Sequence, residues 1–163
     1  MKTLLIVWHS RTGGSRQMAE AAAQAARDLG EVDVRLVAAA EAGPQDLLEA
    51  QGYLFVCPEN LAAMSGQMKE FFDRAYYPVL DRLTGRPYAL MVCAGSDGES
   101  AVRQIGRIAT GWRLKPVAEP IVVNTAAQTT ERILAPKTIA AADLARCAEL
   151  GAALAAGLAM GVF

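Results

Sequence analysis

Apolar runs and helical periodicities take turns along the chain. Thr3-Leu4-Leu5-Ile6-Val7-Trp8 is a continuous apolar run, which is what a strand buried on both faces requires. From Ser15 to about Leu29 the spacing lengthens to that of an amphipathic, Ala-rich helix, closed by Gly30. Val32-Asp33-Val34-Arg35-Leu36-Val37 alternates apolar and polar positions, the pattern of an edge or near-edge strand. Pro44 opens a short helix through Ala50, and Tyr53-Leu54-Phe55-Val56-Cys57 is a second buried strand. A loop at Pro58–Met64 leads to Ser65, expected to cap a helix from Gly66 to about Leu83 with Met68, Phe72, Ala75 and Val79 on one face. Thr84–Pro87 turns into the strand Tyr88–Cys93. The loop Ala94–Gly98 then precedes a helix that runs to about Gly111. Val117–Val123 reads as a fifth strand, and Glu119-Pro120 inside it suits only an edge. Asn124–Lys137 is a long connection where about 2–6 residues are usual. The last helix spaces Leu144, Cys147, Gly151, Leu154 and Leu158 three and four apart.

Five strands alternating with five helices predict one α/β domain over residues 1–163, a three-layer α/β/α sandwich around a parallel sheet. Of the common doubly wound orders, five strands fit 2-1-3-4-5. In that order the connections leaving strands 1 and 3 diverge, and ligands bind in the crevice between their carboxyl ends. The three polar, Gly-bearing loops follow strands 1, 3 and 4, so they converge on one rim and form one site.

Composition narrows the chemistry. With 163 residues, 53% hydrophobic and 20% charged, the chain has a globular balance, and its net charge of −1 suggests neither nucleic acid nor an anionic membrane as partner. The N-terminus lacks signal-peptide anatomy, and the longest uncharged apolar run, Leu150–Phe163, falls short of the roughly 20 residues that span a bilayer. Three scattered cysteines and one histidine make neither a metal site nor a disulfide framework, and point to the cytoplasm.

The most informative stretch is Ser10-Arg11-Thr12-Gly13-Gly14-Ser15, where the first strand hands over to the first helix. Amides at a helix N-terminus favour an anion, the glycines let backbone approach it, and three hydroxyls can bond its oxygens. No carboxylate occupies the first helical turn, although that position usually favours one; Arg11 and Arg16 lie there instead. A bound dianion accounts for both facts. The stretch is neither a nucleotide-triphosphatase P-loop nor a Gly-x-Gly-x-x-Gly fingerprint.

These residues resemble the phosphate loop of flavodoxins, Thr/Ser-x-Thr-Gly-x-Thr, with Ser15 in place of the last Thr. Cys57-Pro58-Glu59-Asn60-Leu61-Ala62-Ala63-Met64-Ser65-Gly66-Gln67-Met68-Lys69 resembles the segment after strand 3 in flavodoxin-like quinone and FMN reductases. Cys93–Gly98 stands in the place of their third flavin loop. The resemblance spans nearly the whole chain and implies a flavodoxin-like fold binding FMN through Ser10, Arg11, Thr12, Gly13, Gly14, Ser15, Pro58, Glu59, Asn60, Leu61, Met64, Gly95, Ser96, Asp97 and Gly98. It further implies reduction of a small acceptor, a quinone or free flavin, by NADH or NADPH, with the chemistry carried by FMN and no catalytic side chain. Two other readings stand beside it: an electron carrier without enzymatic activity, and a binding or regulatory protein that has lost flavin. The last is motivated by Asn60 and Ala62, which replace the family's aromatic and glycine and leave Leu61, Met64 or another loop to cover the flavin ring. A homodimer is an expectation by analogy, with the Asn124–Lys137 connection as a contributor.

Glu59 is read either as a hydrogen-bond acceptor for flavin or substrate or as a solvated loop carboxylate. Ser96-x-x-Glu99 has capping-box spacing, which makes Glu99 structural. Asp97 and the amides of Gly95 to Gly98 are candidates for the flavin's pyrimidine edge. Cys57 and Cys93 read as buried packing, and His9 as a hydrogen-bonded loop histidine. Phe71, Phe72, Tyr76 and Tyr77 exceed what one buried helix face requires, so part of that cluster is expected at a subunit contact.

Overall fold

A computed structural model describes residues 1–163. Its elements are β1 (Thr3–Trp8), α1 (Gly14–Asp28), β2 (Asp33–Ala38), α2 (Pro44–Glu49), β3 (Gly52–Asn60), β4 (Ala63–Met64), α3 (Gly66–Val79), β5 (Pro87–Ala94), α4 (Glu99–Gly111), β6 (Lys115–Pro116), β7 (Ile121–Asn124), α5 (Thr130–Leu134) and α6 (Ala141–Met160). The sheet runs β2-β1-β3-β5, with β6 and β7 end to end along the outer edge of β5 and every one of these pairings parallel. Counting β6 and β7 as one broken fifth strand, this is the doubly wound order 2-1-3-4-5.

Period-two alternation sorts the strand side chains into two cores. Leu5, Val7, Tyr53, Phe55, Leu90 and Val92 face α2, α3 and α4. Leu4, Ile6, Leu54, Val56, Met91 and Cys93 face α1 and α6. The second layer is thin because α1 and α6 meet through small residues: a Cβ on Gly151 would collide with the Ala22 backbone. No helix is long and apolar enough to cross a membrane.

Four local expectations are corrected. The segment Pro58–Met64 is not a loop: β3 continues to Asn60 and turns back into β4 as an antiparallel hairpin. Ser65 precedes α3, but its side chain makes no cap hydrogen bond. That helix ends at Val79, not Leu83, because Pro78 has no N–H to continue the ladder. The fifth strand is broken at 117–120: Lys115 faces Pro87 whereas Ile121 faces Met91, so the Glu119-Pro120 stretch bulges out and absorbs two extra residues. The edge position inferred from that proline is observed.

Phe71 and Phe72 are buried in the first core and Trp112 packs edge-on against Phe72. Tyr76 and Tyr77 stack on one another at the surface.

Candidate functional site

The rim at the carboxyl ends of β1, β3 and β5 carries all three loops, as their positions in the strand order require. The first is a tight turn. The Ser10 hydroxyl accepts from the Gly13 amide at 3.0 Å, and Gly13 adopts φ +94°, a left-handed conformation natural only to glycine. Gly14 is required for a different reason: a Cβ there would lie 2.6 Å from Cys93 Sγ, which brings the β1 turn directly against the end of β5.

The start of α1 is chemically unfinished. It has no side-chain cap and no acidic residue in its first turn, and its earliest helical bond is from the Gln17 amide to the Gly13 carbonyl. The amides of Gly14, Ser15 and Arg16 therefore have no protein acceptor. The Ser15 hydroxyl is also orphaned. It is 1% exposed and makes no hydrogen bond, the one buried side-chain polar atom so placed. An oxyanion at this position would accept from the three amides and the hydroxyl together, so these residues fit a phosphate monoester.

Arg11 is exposed beside this turn. Arg16, by contrast, is turned away: its guanidinium bonds Glu20 at 2.8 Å and lies 5.9 Å over the Trp8 ring. The cation that does reach the loop was not visible in the sequence. Lys137, in the connection between β7 and α6, bonds the Thr12 carbonyl through its amide (2.8 Å) and the Thr12 hydroxyl through Nζ (3.2 Å). Gln17 fixes it there, donating Nε2 to the Gly13 and Lys137 carbonyls and accepting from the Ile139 amide. The long connection thus folds back on its own chain's loop. Beyond it, a cleft of about 390 Å³ lined by Asn124, Thr125, Arg132 and Asp143 includes no residue of the three rim loops.

His9 joins the first loop to the second. Its Nδ1 lies 2.7 Å from the Ser65 hydroxyl, and both side chains are buried, which explains why Ser65 does not cap α3. Burial, assisted by the Arg11 charge, pushes the imidazole pKa below its ordinary 6.5, so the ring is neutral at physiological pH. This is the hydrogen-bonded loop histidine the sequence suggested.

In the second loop, Leu61 and Ala62 form the two-residue tip of the β3–β4 hairpin with φ of +50° and +60°. Positive φ at both central residues is the mark of a type I′ turn, normally built from Asn-Gly. Leu61 is fully exposed at the tip. Met64 is not available beside it: at 5% exposure it belongs to the core under α3 and α4. Glu59 fits neither of its expected roles. Its two carboxylate oxygens accept from the Gly98 amide (2.9 Å) and the Ala101 amide (3.0 Å), so it caps α4 from the neighbouring loop. Pro58 pairs with Cys93 across β3 and β5, and Asn60 pairs with Ala63 across the hairpin.

The third loop is arranged around that cap. Gly98, not Ser96, is the N-cap of α4, in the left-handed region at φ +98°, so the Ser96–Glu99 capping box does not form. Asp97 accepts instead from the Glu99 amide at 3.3 Å. With the Gly98 N–H engaged by Glu59, the amides of Gly95, Ser96 and Asp97 are left without protein acceptors. Their carbonyl side is held: Gln128 bonds the Gly95 oxygen and Asn124 the Ser96 oxygen. Cys57 and Cys93 are packing residues, as expected; burial pushes their thiols up to about 12 and about 11, so neither ionises near neutrality.

A family model, described as NADPH-dependent FMN reductase, matches residues 39–128, which include the second and third loops. The chain belongs to this family. Within the wider set of relatives, a protein from Aquifex aeolicus named "Flavodoxin" is 38% identical over 96 residues, 59% of this chain and 50% of the relative. An "NAD(P)H dehydrogenase (quinone)" from Acidithiobacillus ferrooxidans is 37% identical over 94 residues, covering 45% of this chain and 47% of the relative. The chain thus aligns to about half the length of these curated relatives. Among solved structures, an archaeal flavodoxin superposes with a TM-score of 0.76 at 20% identity over 94% of this chain and 96% of that one. A WrbA-like flavodoxin from Agrobacterium tumefaciens gives 0.71 at 19% identity over 99% of both. At such identities the superpositions establish the flavodoxin-like fold. The family's name carries an expectation of FMN, and the unfinished α1 terminus is of the chemistry its phosphate needs.

Proposed function

We propose that this chain binds one FMN at the rim and uses it to pass two electrons from NADH or NADPH to a small acceptor, a quinone or a free flavin. The observation that carries the reading is the buried, partnerless Ser15 hydroxyl among three partnerless amides at the start of α1. In this reading Ser10, Thr12 and Ser15, with the amides of Gly14, Ser15 and Arg16, hold the phosphate. The amides of Gly95, Ser96 and Asp97 serve the pyrimidine edge of the ring. Leu61, exposed at the hairpin tip, lies where it can cover the ring in place of the missing aromatic. FMN, when bound, supplies the hydride chemistry; the chain supplies position and orientation. No side chain at the rim is needed as an acid or base, which agrees with a neutral His9 held by Ser65.

The purified protein tests this directly. It is expected to be yellow, or when colourless to quench the fluorescence of added FMN, and anaerobic NADH or NADPH should then bleach the flavin. A protein that neither carries nor quenches FMN overturns the proposal. A second reading, a carrier without nicotinamide activity, is favoured by the Aquifex relative's name. A net charge of −1 gives little steering toward a basic redox partner and weighs against it. Flavin that neither nucleotide bleaches at a useful rate would decide for the carrier.

A further inference from the structure

Lys137 lies 125 residues beyond Thr12 in the chain, yet it holds that residue at two atoms. Its amide donates to the Thr12 carbonyl at 2.8 Å and its ammonium to the Thr12 hydroxyl oxygen at 3.2 Å. The other two ammonium contacts, to the Ile133 (3.0 Å) and Ala135 (2.7 Å) carbonyls, fix its position from within the β7–α6 connection. Gln17 locks the Lys137 carbonyl to the first turn of α1.

This arrangement has a chemical consequence for Thr12. A hydroxyl has one proton and two lone pairs. With a cation donating to its oxygen, the hydroxyl's own proton is the group left to point away from Lys137. An alcohol polarised in this way is a stronger donor, and an anion is the acceptor it suits best. The loop beside it presents the orphaned Ser15 hydroxyl and three open amides to the same anion.

We propose that Lys137 is a positioning residue for the flavin phosphate: it orients the Thr12 hydroxyl as a donor and brings a fixed positive charge to the loop. The chain's preference for FMN over riboflavin then depends on the β7–α6 connection as well as on the loop itself. This rests on the FMN reading above, and the experiment separates the two.

Apoprotein is titrated with FMN and, separately, with riboflavin, following fluorescence quenching. The unmodified chain should bind FMN far more tightly than riboflavin. Lys137→Met should raise the FMN Kd about ten-fold or more and leave the riboflavin Kd unchanged, so riboflavin also reports that the ring end is intact. Lys137→Arg should recover part of the loss. In a Thr12→Val background, Lys137→Met should cost clearly less than it does alone, because the hydroxyl it orients is gone and only its charge remains to be lost. If the unmodified chain binds both flavins equally or neither, the phosphate reading itself fails. If FMN preference survives Lys137→Met, or both flavins weaken together, the reading stands and the role of Lys137 is refuted. An undiminished Lys137→Met effect in the Thr12→Val background refutes action through Thr12.

Discussion

Ser15→Ala is the most discriminating substitution in the molecule, because it should move stability and affinity in opposite directions. In the ligand-free chain the Ser15 hydroxyl is buried without a partner. A buried polar group in that state costs about 1–3 kcal/mol, and alanine removes it with little change of volume. Alanine is also the better helix former, and position 15 lies inside α1. The apoprotein should therefore gain about 1–3 kcal/mol, which for a chain of this size is a rise in Tm of about 2–12 °C. With FMN present the same change deletes a hydrogen bond to a charged oxygen, worth about 1.5–3 kcal/mol, so Kd should rise about ten- to a hundred-fold. Differential scanning fluorimetry with and without saturating FMN reads both effects at once: the variant starts higher and gains less from ligand. A variant whose apo Tm falls, or whose FMN Kd is unchanged, would refute the claim that this hydroxyl is reserved for an anion.

Three other outcomes follow from the geometry. Glu59→Ala removes two charge-assisted bonds to the Gly98 and Ala101 amides and should cost about 2–3 kcal/mol in urea denaturation; a loss below about 0.5 kcal/mol would mean that the inter-loop cap contributes nothing. Ala62→Gly should stabilise by about 1 kcal/mol, since glycine takes φ +60° without strain, and the check is a Tm about 2–4 °C higher. The third concerns pH. Because the His9 pKa is lowered on folding from its ordinary 6.5, the unfolded chain binds the proton more readily, and stability should fall as pH drops from about 6.5 toward the depressed folded value. Stability is full above pH 6.5. Unfolding free energies at pH 7.5 and 5.5 should differ more in the unmodified chain than in His9→Gln; an identical difference would place the effect elsewhere.

How much of this was readable from the sequence depends on how local each signal is. The strand order was legible because hydrophobic period reports burial on one or two faces directly, and five strands joined by helices leave few topologies. The open start of α1 was legible for the same reason: Ser10–Ser15 is one contiguous turn, and its suitability for an anion needs no distant partner to be recognised. The contacts of the second and third loops were not. Glu59 read either as an acceptor for flavin or substrate or as a solvated loop carboxylate, because the amides it caps, Gly98 and Ala101, lie far along the chain at the start of α4. Lys137 and Gln17 carried no sequence signal, since a lysine in a long connection and a glutamine in a helix are ordinary until folding brings them together. The hairpin at Leu61-Ala62 was missed because the turn it makes is normally announced by Asn-Gly, and here tertiary context imposes the conformation on residues that disfavour it.

That last point bears on what the departures from the family pattern mean. Asn60 and Ala62 raised the reading of a chain that had given up its flavin. Ala62 nevertheless holds the backbone conformation that a glycine would hold, at a strain cost of about 1–2 kcal/mol. Glu59, two residues before the tip, is bonded to the third loop, so that the second and third loops are fixed relative to each other. Meanwhile the Ser10–Ser15 turn keeps a buried, unsatisfied hydroxyl that the fold would be more stable without. A chain released from ligand binding has no physical reason to retain strain at one loop and an orphaned donor at another. Both features lie on the same rim, and both are accounted for if a ligand completes it. In the FMN reading proposed above, the loss of the aromatic changes what covers the ring, with Leu61 at the exposed tip in its place, and leaves the loop frame intact.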